Sequence, residues 1–265
     1  MHKDKIIKLI DKDGVVVVEN FLSKNRCTFY LNKILKILEK KIKNNEYIGN
    51  TNYQVIENYF FEDTDLLKLL DSDLIYKIMS TLIDQDYVVI SSSARNSHLN
   101  YQVKTEYKTS GVGWHTDTRY IRDKRVNPSL IYTCVIPLED FDLDCGLTDF
   151  IPGSHKKNDK PIRNKKYKNT KKLKVKAGSI IFFDSALWHK SGNATTKSRW
   201  AIFTMYGPWF MKPYFQFDKI IEDKDLKIKS SKILKLLHFD STPPIVHNSN
   251  NLATLKRVRD KLKNN

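Results

Sequence analysis

The N-terminal third of the chain combines one β-branched run with two segments of helical periodicity. Residues 14–18 form a glycine followed by an uninterrupted valine run, which predicts a short buried strand. Apolar residues then recur at helical spacing over about 20–43 and again over 65–82, so a helix is predicted in each segment. Residues 53–61, between these helices, are rich in aromatic side chains and are predicted to be extended.

From residue 87 onward the pattern changes to short apolar or alternating runs separated by turns. Many short strands at regular spacing favour a β-sandwich or barrel. An amphipathic helix is predicted near residues 230–237 and a charged surface helix at 252–263. The predicted strands are 87–90, 96–103, 130–138, 147–151, 178–183 and 199–206.

Length and composition fit one large domain. The chain has 265 residues, of which 40% are hydrophobic and 11% aromatic, which is enough for a sizeable core. We expect a single domain over residues 1–265. It comprises a helical N-terminal part at about 20–85, a β core at about 86–215 and a C-terminal tail at 216–265. No apolar run approaches the ~18 residues that a membrane helix needs, so we expect no membrane partner.

Net charge and cysteine content bear on the partners and the cellular compartment that the sequence favours. A formal net charge of +16 permits nucleic acid, anionic lipid or anionic small molecules as partners. Because the lysines are spread over the whole chain, a general compositional bias is the simpler interpretation. Three well-separated cysteines, Cys27, Cys134 and Cys145, favour reduced thiols in a cytoplasmic protein. The sequence does not indicate an oligomeric state.

One stretch is more basic than the rest. Residues 156–176 contain eleven lysines and arginines against a single acid, Asp159. This basic insert shows no apolar periodicity, so we expect a solvated surface loop. The alternative is a lid that attracts an anionic substrate.

The candidate chemistry lies in a histidine and a carboxylate two residues apart. On an extended segment, His115 and Asp117 point to the same side and can hold one cation together. His189 is the best candidate for a third ligand, and the resulting facial triad is typical of non-haem Fe(II) oxygenases. A lone His-x-Asp pair arises often by chance, so its weight comes from the ordered set. Arg199, which opens an apolar run ten residues after His189, is suited to bidentate binding of a carboxylate.

The segments around these residues resemble the phytanoyl-CoA dioxygenase family. Residues 145–148 (Cys-Gly-Leu-Thr) and 152–155 (Pro-Gly-Ser-His) are similar to that family's NG-x-[TL]…PGSH stretch, with Cys145 in place of the usual asparagine. Residues 177–192 look like the family's distal-histidine block, and residues 14–22 look like its opening strand. The resemblance covers about residues 12–245, and His155 within it is interpreted as structural.

The resemblance implies a mainly β fold with packed helices around a double-stranded β-helix, that is, a cupin-like jelly roll. It implies Fe(II), 2-oxoglutarate and O2, with His115, Asp117 and His189 as the metal ligands. Arg199 would bind the far carboxylate of 2-oxoglutarate. Ser191 and Asn100 match positions that help to hold this cosubstrate in related ectoine hydroxylases, and Asn100 matches only with a gap.

The implied reaction is hydroxylation of an aliphatic carbon of a small metabolite, with release of succinate and CO2. An anionic metabolite is one version of this prediction. Related halogenases carry Ala or Gly at the position of Asp117, so this carboxylate favours hydroxylation, while desaturation or ring closure stays open. Two other classes are a nucleic-acid oxidative demethylase and a non-catalytic metal-binding jelly roll. Met205 stands where such demethylases carry a second arginine, so no nucleic-acid partner is expected. The substrate itself cannot be read from the sequence.

Overall fold

A computed structural model describes residues 1–46, 53–97, 113–118, 120–121, 124–192 and 194–239. Its helices are α1 (Lys3–Asp13), α2 (Lys24–Lys43), α3 (Asp73–Leu82), α4 (Phe217–Asp223) and α5 (Ser231–Leu236), with 3-10 turns at Tyr59–Phe61, Thr64–Leu69 and Ser154–Lys156. Its strands are β1 (Val15–Val18), β2 (Tyr53–Glu57), β3 (Val88–Ser97), β4 (Tyr120–Ile121), β5 (Lys124–Arg125), β6 (Tyr132–Pro137), β7 (Thr148–Phe150), β8 (Lys171–Leu173), β9 (Ile180–Asp184), β10 (His189–Lys190) and β11 (Arg199–Gly207). None of these helices is long and apolar enough to cross a membrane.

Two antiparallel sheets form the body of the fold. The large sheet has six strands in the order β1-β9-β6-β11-β3-β2, and the small sheet has three in the order β10-β7-β8. The large sheet is open, with β1 and β2 at its edges, and β4 and β5 form a separate hairpin. Helices α1 to α5 pack their apolar residues into one core with one face of the large sheet, and the small sheet shares a second core with the other face.

Side-chain alternation along the central strands separates these two cores. On β11, Trp200 and Ile202 belong to the helix-side core, whereas Ala201 and Phe203 belong to the core between the sheets. Neighbouring side chains along a strand point to opposite faces, which accounts for this division. Arg199 has the same parity as Ala201, so it enters the space between the sheets.

The first helices are fixed by their ends. The predicted helix over about 20–43 is confirmed as α2, with Ser23 as its N-cap. Helix α1 was not predicted, although its Ile6 and Ile10 are buried. It ends at Gly14, whose φ of 80° places it in the left-handed region. A β-carbon at Gly14 would lie 2.6 Å from Nδ1 of His155, so this turn requires a glycine.

Some predicted elements have different boundaries. The prediction of a single helix over 65–82 is wrong, because a 3-10 turn ends at Leu69 and α3 begins separately at Asp73. The Ser72 hydroxyl caps α3 by accepting a hydrogen bond from the Ile75 amide at 3.1 Å. The extended segment predicted at 53–61 ends at Glu57, since Asn58 adopts a left-handed conformation. Most of the basic insert is exposed, as expected, but it also contains β8. Residues 98–103 and the helix predicted at 252–263 lie outside the described residues.

A partly buried carboxylate connects the N-terminal and C-terminal helices. Glu62 receives Lys40 and Lys41 from α2 at 3.4 and 3.3 Å and Lys224, which follows α4, at 2.9 Å. Burial alone would raise the pKa of Glu62, but the hydrogen bond from Lys224 and the charge of Lys41 outweigh it and lower the pKa to about 2. The ionised carboxylate therefore stabilises the folded state.

Replacing Glu62 with Gln should lower the free energy of unfolding at pH 7 by about 1–2 kcal/mol, since solvent screening reduces the effect of the shift. Because the folded-state pKa lies below the ordinary 4.5, this stabilisation is complete above about pH 4.5 and is lost as the pH falls toward about 2. Urea unfolding of both proteins across this range should show the difference shrinking with acidification. Glu39→Gln, at an exposed position on α2, is the control, and a pH-independent difference would contradict the prediction.

Candidate metal centre

The two candidate histidine ligands are paired across neighbouring extended segments. His115 and His189 form an antiparallel bridge in which each backbone N–H donates to the other's carbonyl, at 2.9 and 3.0 Å. The Asp117 amide donates to the Ser185 carbonyl at 2.9 Å. This hydrogen bond holds Asp117, two positions after His115, on the same side as His115. Residues far apart in sequence are thus brought together by backbone pairing.

The side chains converge on a space of the size of one cation. Nε2 of His115 and Nε2 of His189 each lie 3.7 Å from a different oxygen of Asp117. One ligand atom from each residue can be chosen so that all three lie within 4.8 Å of one another, a grouping found nowhere else among the described residues. All three side chains are partly exposed, so an ion can reach them.

The remaining ring nitrogens are held by backbone carbonyls. Nδ1 of His115 lies 2.8 Å from the Gly113 carbonyl, and Nδ1 of His189 lies 2.9 Å from the Leu187 carbonyl. When Nδ1 donates to a carbonyl, Nε2 carries the lone pair, which is the tautomer a metal requires. Burial, followed by the neighbouring His189, lowers the pKa of His115 despite the opposing effect of Asp117, which favours the neutral, ligating form.

Arg199 is a buried cation without an anionic partner among the described residues. Its side chain is 4% exposed, its Nη2 donates to the Gly146 carbonyl at 2.9 Å, and its guanidinium carbon lies 3.6 Å from the centroid of the Phe141 ring. Its Nε is buried and makes no hydrogen bond. Burial lowers the pKa of Arg199 to about 10, against the raising effect of Cys145. A buried, uncompensated charge is costly, so this environment suits an anionic ligand.

Arg199 and the three-residue cluster border the same core. Ala201, on the same face of β11 as Arg199, packs in the inter-sheet core with Phe183. The Phe183 ring lies 5.5 Å from the His189 ring. Two imidazoles, a carboxylate and an unpaired guanidinium around one core fit Fe(II) and a dicarboxylate cosubstrate.

The other predicted site residues stand differently. Ser191 lies half-buried just after β10, and Asn100 lies outside the described residues. His155 is buried, with Nε2 3.0 Å from the Asp11 carbonyl at the end of α1, as expected for a structural residue.

Sequence reasoning missed Arg95. The polar run Ser91 to Ser93 concealed the fact that β3 continues to Ser97. Arg95 pairs directly with Ala201, and its guanidinium carbon lies 5.2 Å from the centroid of the Phe203 ring, so its side chain is on the inter-sheet face. Had β3 been predicted at full length, its alternation would have identified an arginine on this face.

Two mycobacterial proteins are similar to part of this chain in sequence. Uncharacterized proteins Mb1539 of Mycobacterium bovis and Rv1501 of Mycobacterium tuberculosis are each 31% identical to this chain over 101 residues, 38% of this chain. The matched part spans only 37% of the length of either relative.

Solved structures share the fold. HygX from Streptomyces hygroscopicus, with nickel and 2-oxoglutarate bound, superposes with a TM-score of 0.64 at 14% identity, covering 81% of this chain and 90% of HygX. The alpha-ketoglutarate-dependent epimerase SnoN from nogalamycin biosynthesis gives 0.61 at 14% identity, covering 77% and 82%. This likeness confirms the mainly β, jelly-roll fold with packed helices.

The sequence profile of the phytanoyl-CoA dioxygenase (PhyH) family matches residues 10–201. That range contains every candidate ligand as well as Arg199, and it confirms the resemblance found in the motifs. By this match over most of its length, the chain belongs to the phytanoyl-CoA dioxygenase family.

Proposed function

We propose that this protein is an Fe(II)- and 2-oxoglutarate-dependent oxygenase that hydroxylates an aliphatic carbon of a small metabolite bearing an anionic group. The observation that carries this proposal is the convergence of His115, Asp117 and His189 on the core that also borders a buried guanidinium without a carboxylate partner in the described part of the chain. Family membership and the shared fold support it.

Each residue has a definite task in this proposal. The three clustered side chains would hold Fe(II), which, when bound, would supply the activation of O2 that accompanies decarboxylation of 2-oxoglutarate to succinate and CO2. Arg199 grips the distal carboxylate of 2-oxoglutarate, with Ser191 and Asn100 as further proposed contacts. The apolar inter-sheet core limits the access of water on the side of the site that it covers.

The position of Arg95 supports the proposal that the substrate is anionic. Because Arg95 lies opposite Ala201, it is a diagonal neighbour of Arg199, and such positions are ~7–8 Å apart. Its Nε donates to the Ser93 hydroxyl at 2.8 Å, and no carboxylate of the described residues forms an ion pair with it. Burial raises the pKa of Glu57 against the effect of the Arg95 charge, yet the two groups form no ion pair. A substrate carboxylate or phosphate fits the remaining N–H donors.

The alternatives are less well supported. Met205 is buried with Val88, Ile90 and Ile131, so its strand offers no second arginine for a nucleic-acid demethylase. A non-catalytic metal protein would have no use for the buried, unpaired Arg199. The three cysteines are buried free thiols, and we propose a cytoplasmic setting on that basis.

Replacing His189 with Ala should remove metal binding while the fold persists, because only two ligands remain. Anaerobic Fe(II) plus 2-oxoglutarate should give a weak visible charge-transfer band in the unaltered protein and none in the variant. His2→Ala, at an exposed histidine near the N-terminus, should behave like the unaltered protein. An undiminished band in well-folded His189→Ala would refute the assignment of this ligand.

Replacing Arg199 with Ala should weaken 2-oxoglutarate binding by roughly two to three orders of magnitude. Losing one side of a buried charged pair costs ~3–5 kcal/mol, at ~1.4 kcal/mol per tenfold. Arg199→Lys should recover only part of the loss, since an ammonium cannot copy the guanidinium fork. Titration of metal-loaded protein measures this effect, and unchanged affinity would mean that another cation binds the cosubstrate.

Replacing Arg95 with Gln should instead affect the substrate. For a substrate found by a succinate-release screen, KM should rise by about 10- to 100-fold, since hydrogen bonds to charged groups are worth ~1.5–3 kcal/mol. The affinity for 2-oxoglutarate should change little, so the Arg95 and Arg199 variants serve as controls for each other. A rise in the dissociation constant for 2-oxoglutarate with an unchanged substrate KM would reverse the two assignments.

A further inference from the structure

The middle of the basic insert packs against the metal-ligand segments. The Tyr167 ring lies between two indoles, with its centroid 5.3 Å from that of Trp114 and 5.5 Å from that of Trp188. These tryptophans immediately precede His115 and His189 in the sequence. Together with Ile151 they form a separate apolar cluster, which we call the aromatic clamp.

We propose that Tyr167 is a positioning residue for the metal centre. In this proposal the basic insert is a fixed support for the two histidine-bearing segments and not a mobile lid. By packing on both tryptophans, Tyr167 fixes the two histidine-bearing segments relative to each other. This inference rests on the proposed metal-binding function of His115, Asp117 and His189.

Backbone contacts connect the insert to His115. The Trp114 amide donates to the Arg163 carbonyl at 3.0 Å. A β-carbon at Gly113 would lie only 2.4 Å from Cγ of Arg163, so the insert rests directly on this glycine. The carbonyl of Gly113 is the partner of Nδ1 of His115. Any displacement of the insert therefore reaches the group that orients the imidazole.

The insert is in turn held in shape by Tyr167. The Ile162 amide donates to the Tyr167 hydroxyl at 2.9 Å, and the Thr170 hydroxyl donates to the Tyr167 carbonyl at 2.9 Å. The turn from Ile162 to Thr170 is thus organised around one tyrosine. Its ring supplies the packing on the clamp, and its hydroxyl supplies the link to the turn.

The second histidine-bearing segment is fixed from the other side of the clamp. The Trp188 amide donates to the Ser154 hydroxyl at 2.9 Å, and the Trp188 carbonyl accepts from the Ile151 amide at 3.1 Å. Trp188 and Trp114 are 5% and 4% exposed, so both indoles are held within the protein and not on its surface. The Tyr167 ring packs against both indoles, so its position affects both histidine-bearing segments.

The lysines of this region stack on the clamp. The ammonium of Lys190 lies 5.1 Å from the centroid of the Trp114 ring, that of Lys157 lies 4.8 Å from Trp188, and that of Lys165 lies 5.4 Å from Tyr167. These are cation–π distances, and such contacts stabilise the clamp despite the high positive charge. At least these lysines have a structural role in addition to any attraction of anions.

The test compares Tyr167→Ala with Tyr167→Phe in the full-length protein, using Ni(II) as the probe. Loss of groups that orient metal ligands typically weakens binding by ~10- to 100-fold, so Tyr167→Ala should lower Ni(II) affinity at least about tenfold. Tyr167→Phe keeps the ring and should stay within about twofold of the unaltered protein. Tyr214→Ala, at an exposed tyrosine outside the clamp, should leave the affinity unchanged.

Hydrogen exchange supplies a second readout, in the unaltered protein as well as in the variants. Because coupling is reciprocal, Ni(II) should slow amide exchange in residues 160–170 as well as in 113–118 of the unaltered protein. Tyr167→Phe should expose the Ile162 amide but keep the response to the metal. Tyr167→Ala should lose the response in 160–170, while its melting temperature without metal shows whether the fold is retained.

The outcomes separate the two proposals. If the unaltered protein shows no His189-dependent Ni(II) binding, both the metal centre and the clamp proposal fall. If binding is normal but Tyr167→Ala binds equally well, or if metal leaves exchange in 160–170 unchanged, only the clamp proposal falls. Equal losses in the Phe and Ala variants would also overturn it, because the ring would then not be the positioning element.

Discussion

The candidate site depends on one backbone pairing, the bridge between His115 and His189. Its two hydrogen bonds fix the separation of two segments that are distant in sequence, and the extended conformation then places Asp117 on the same side. On its other side, β10 pairs with β7, with His189 opposite Phe150. The imidazoles are therefore built on the edge of a packed sheet, where ligand geometry can be held closely.

Electrostatics divides the interior into two regions. Near the paired histidines there is one carboxylate, whereas the cation Arg199 is buried without a carboxylate partner among the described residues. A buried charge of this kind lowers stability unless a ligand compensates it, which is the cost commonly found at functional sites. Arg95, on the same face of the sheet but exposed, carries no comparable penalty and is suited to a ligand that comes and goes.

The strong positive charge has several local explanations. Some lysines neutralise buried or partly buried acids, as Lys172 does for Asp149 at 2.7 Å and Lys224 does for Glu62. Others stack on the rings of the aromatic clamp. The basic insert is thus not a uniformly solvated loop, and its role is not limited to attracting anions. Its centre is part of the packing around the candidate metal centre, while many of its lysines remain exposed.

Local patterns in the sequence determined much of the architecture. Valine and isoleucine runs identified β1 and β9, and apolar residues at helical spacing identified α2, because each signal depends on neighbours within a few residues. Motif order identified the family, which the profile match confirms. The single-domain division and the roles of the ligands, Ser191 and Asn100 stay predictions.

Tertiary structure alone decided the remaining features. Helix α1 is held by burial of Ile6 and Ile10 in a core assembled from the whole chain. The orientation of Arg95 follows from its pairing with β11, more than a hundred residues later. Tyr167 looked like one more residue of a basic loop, because its two tryptophan partners lie in other segments. Contacts between distant residues leave no periodic signal in either segment, so only the folded chain could reveal them.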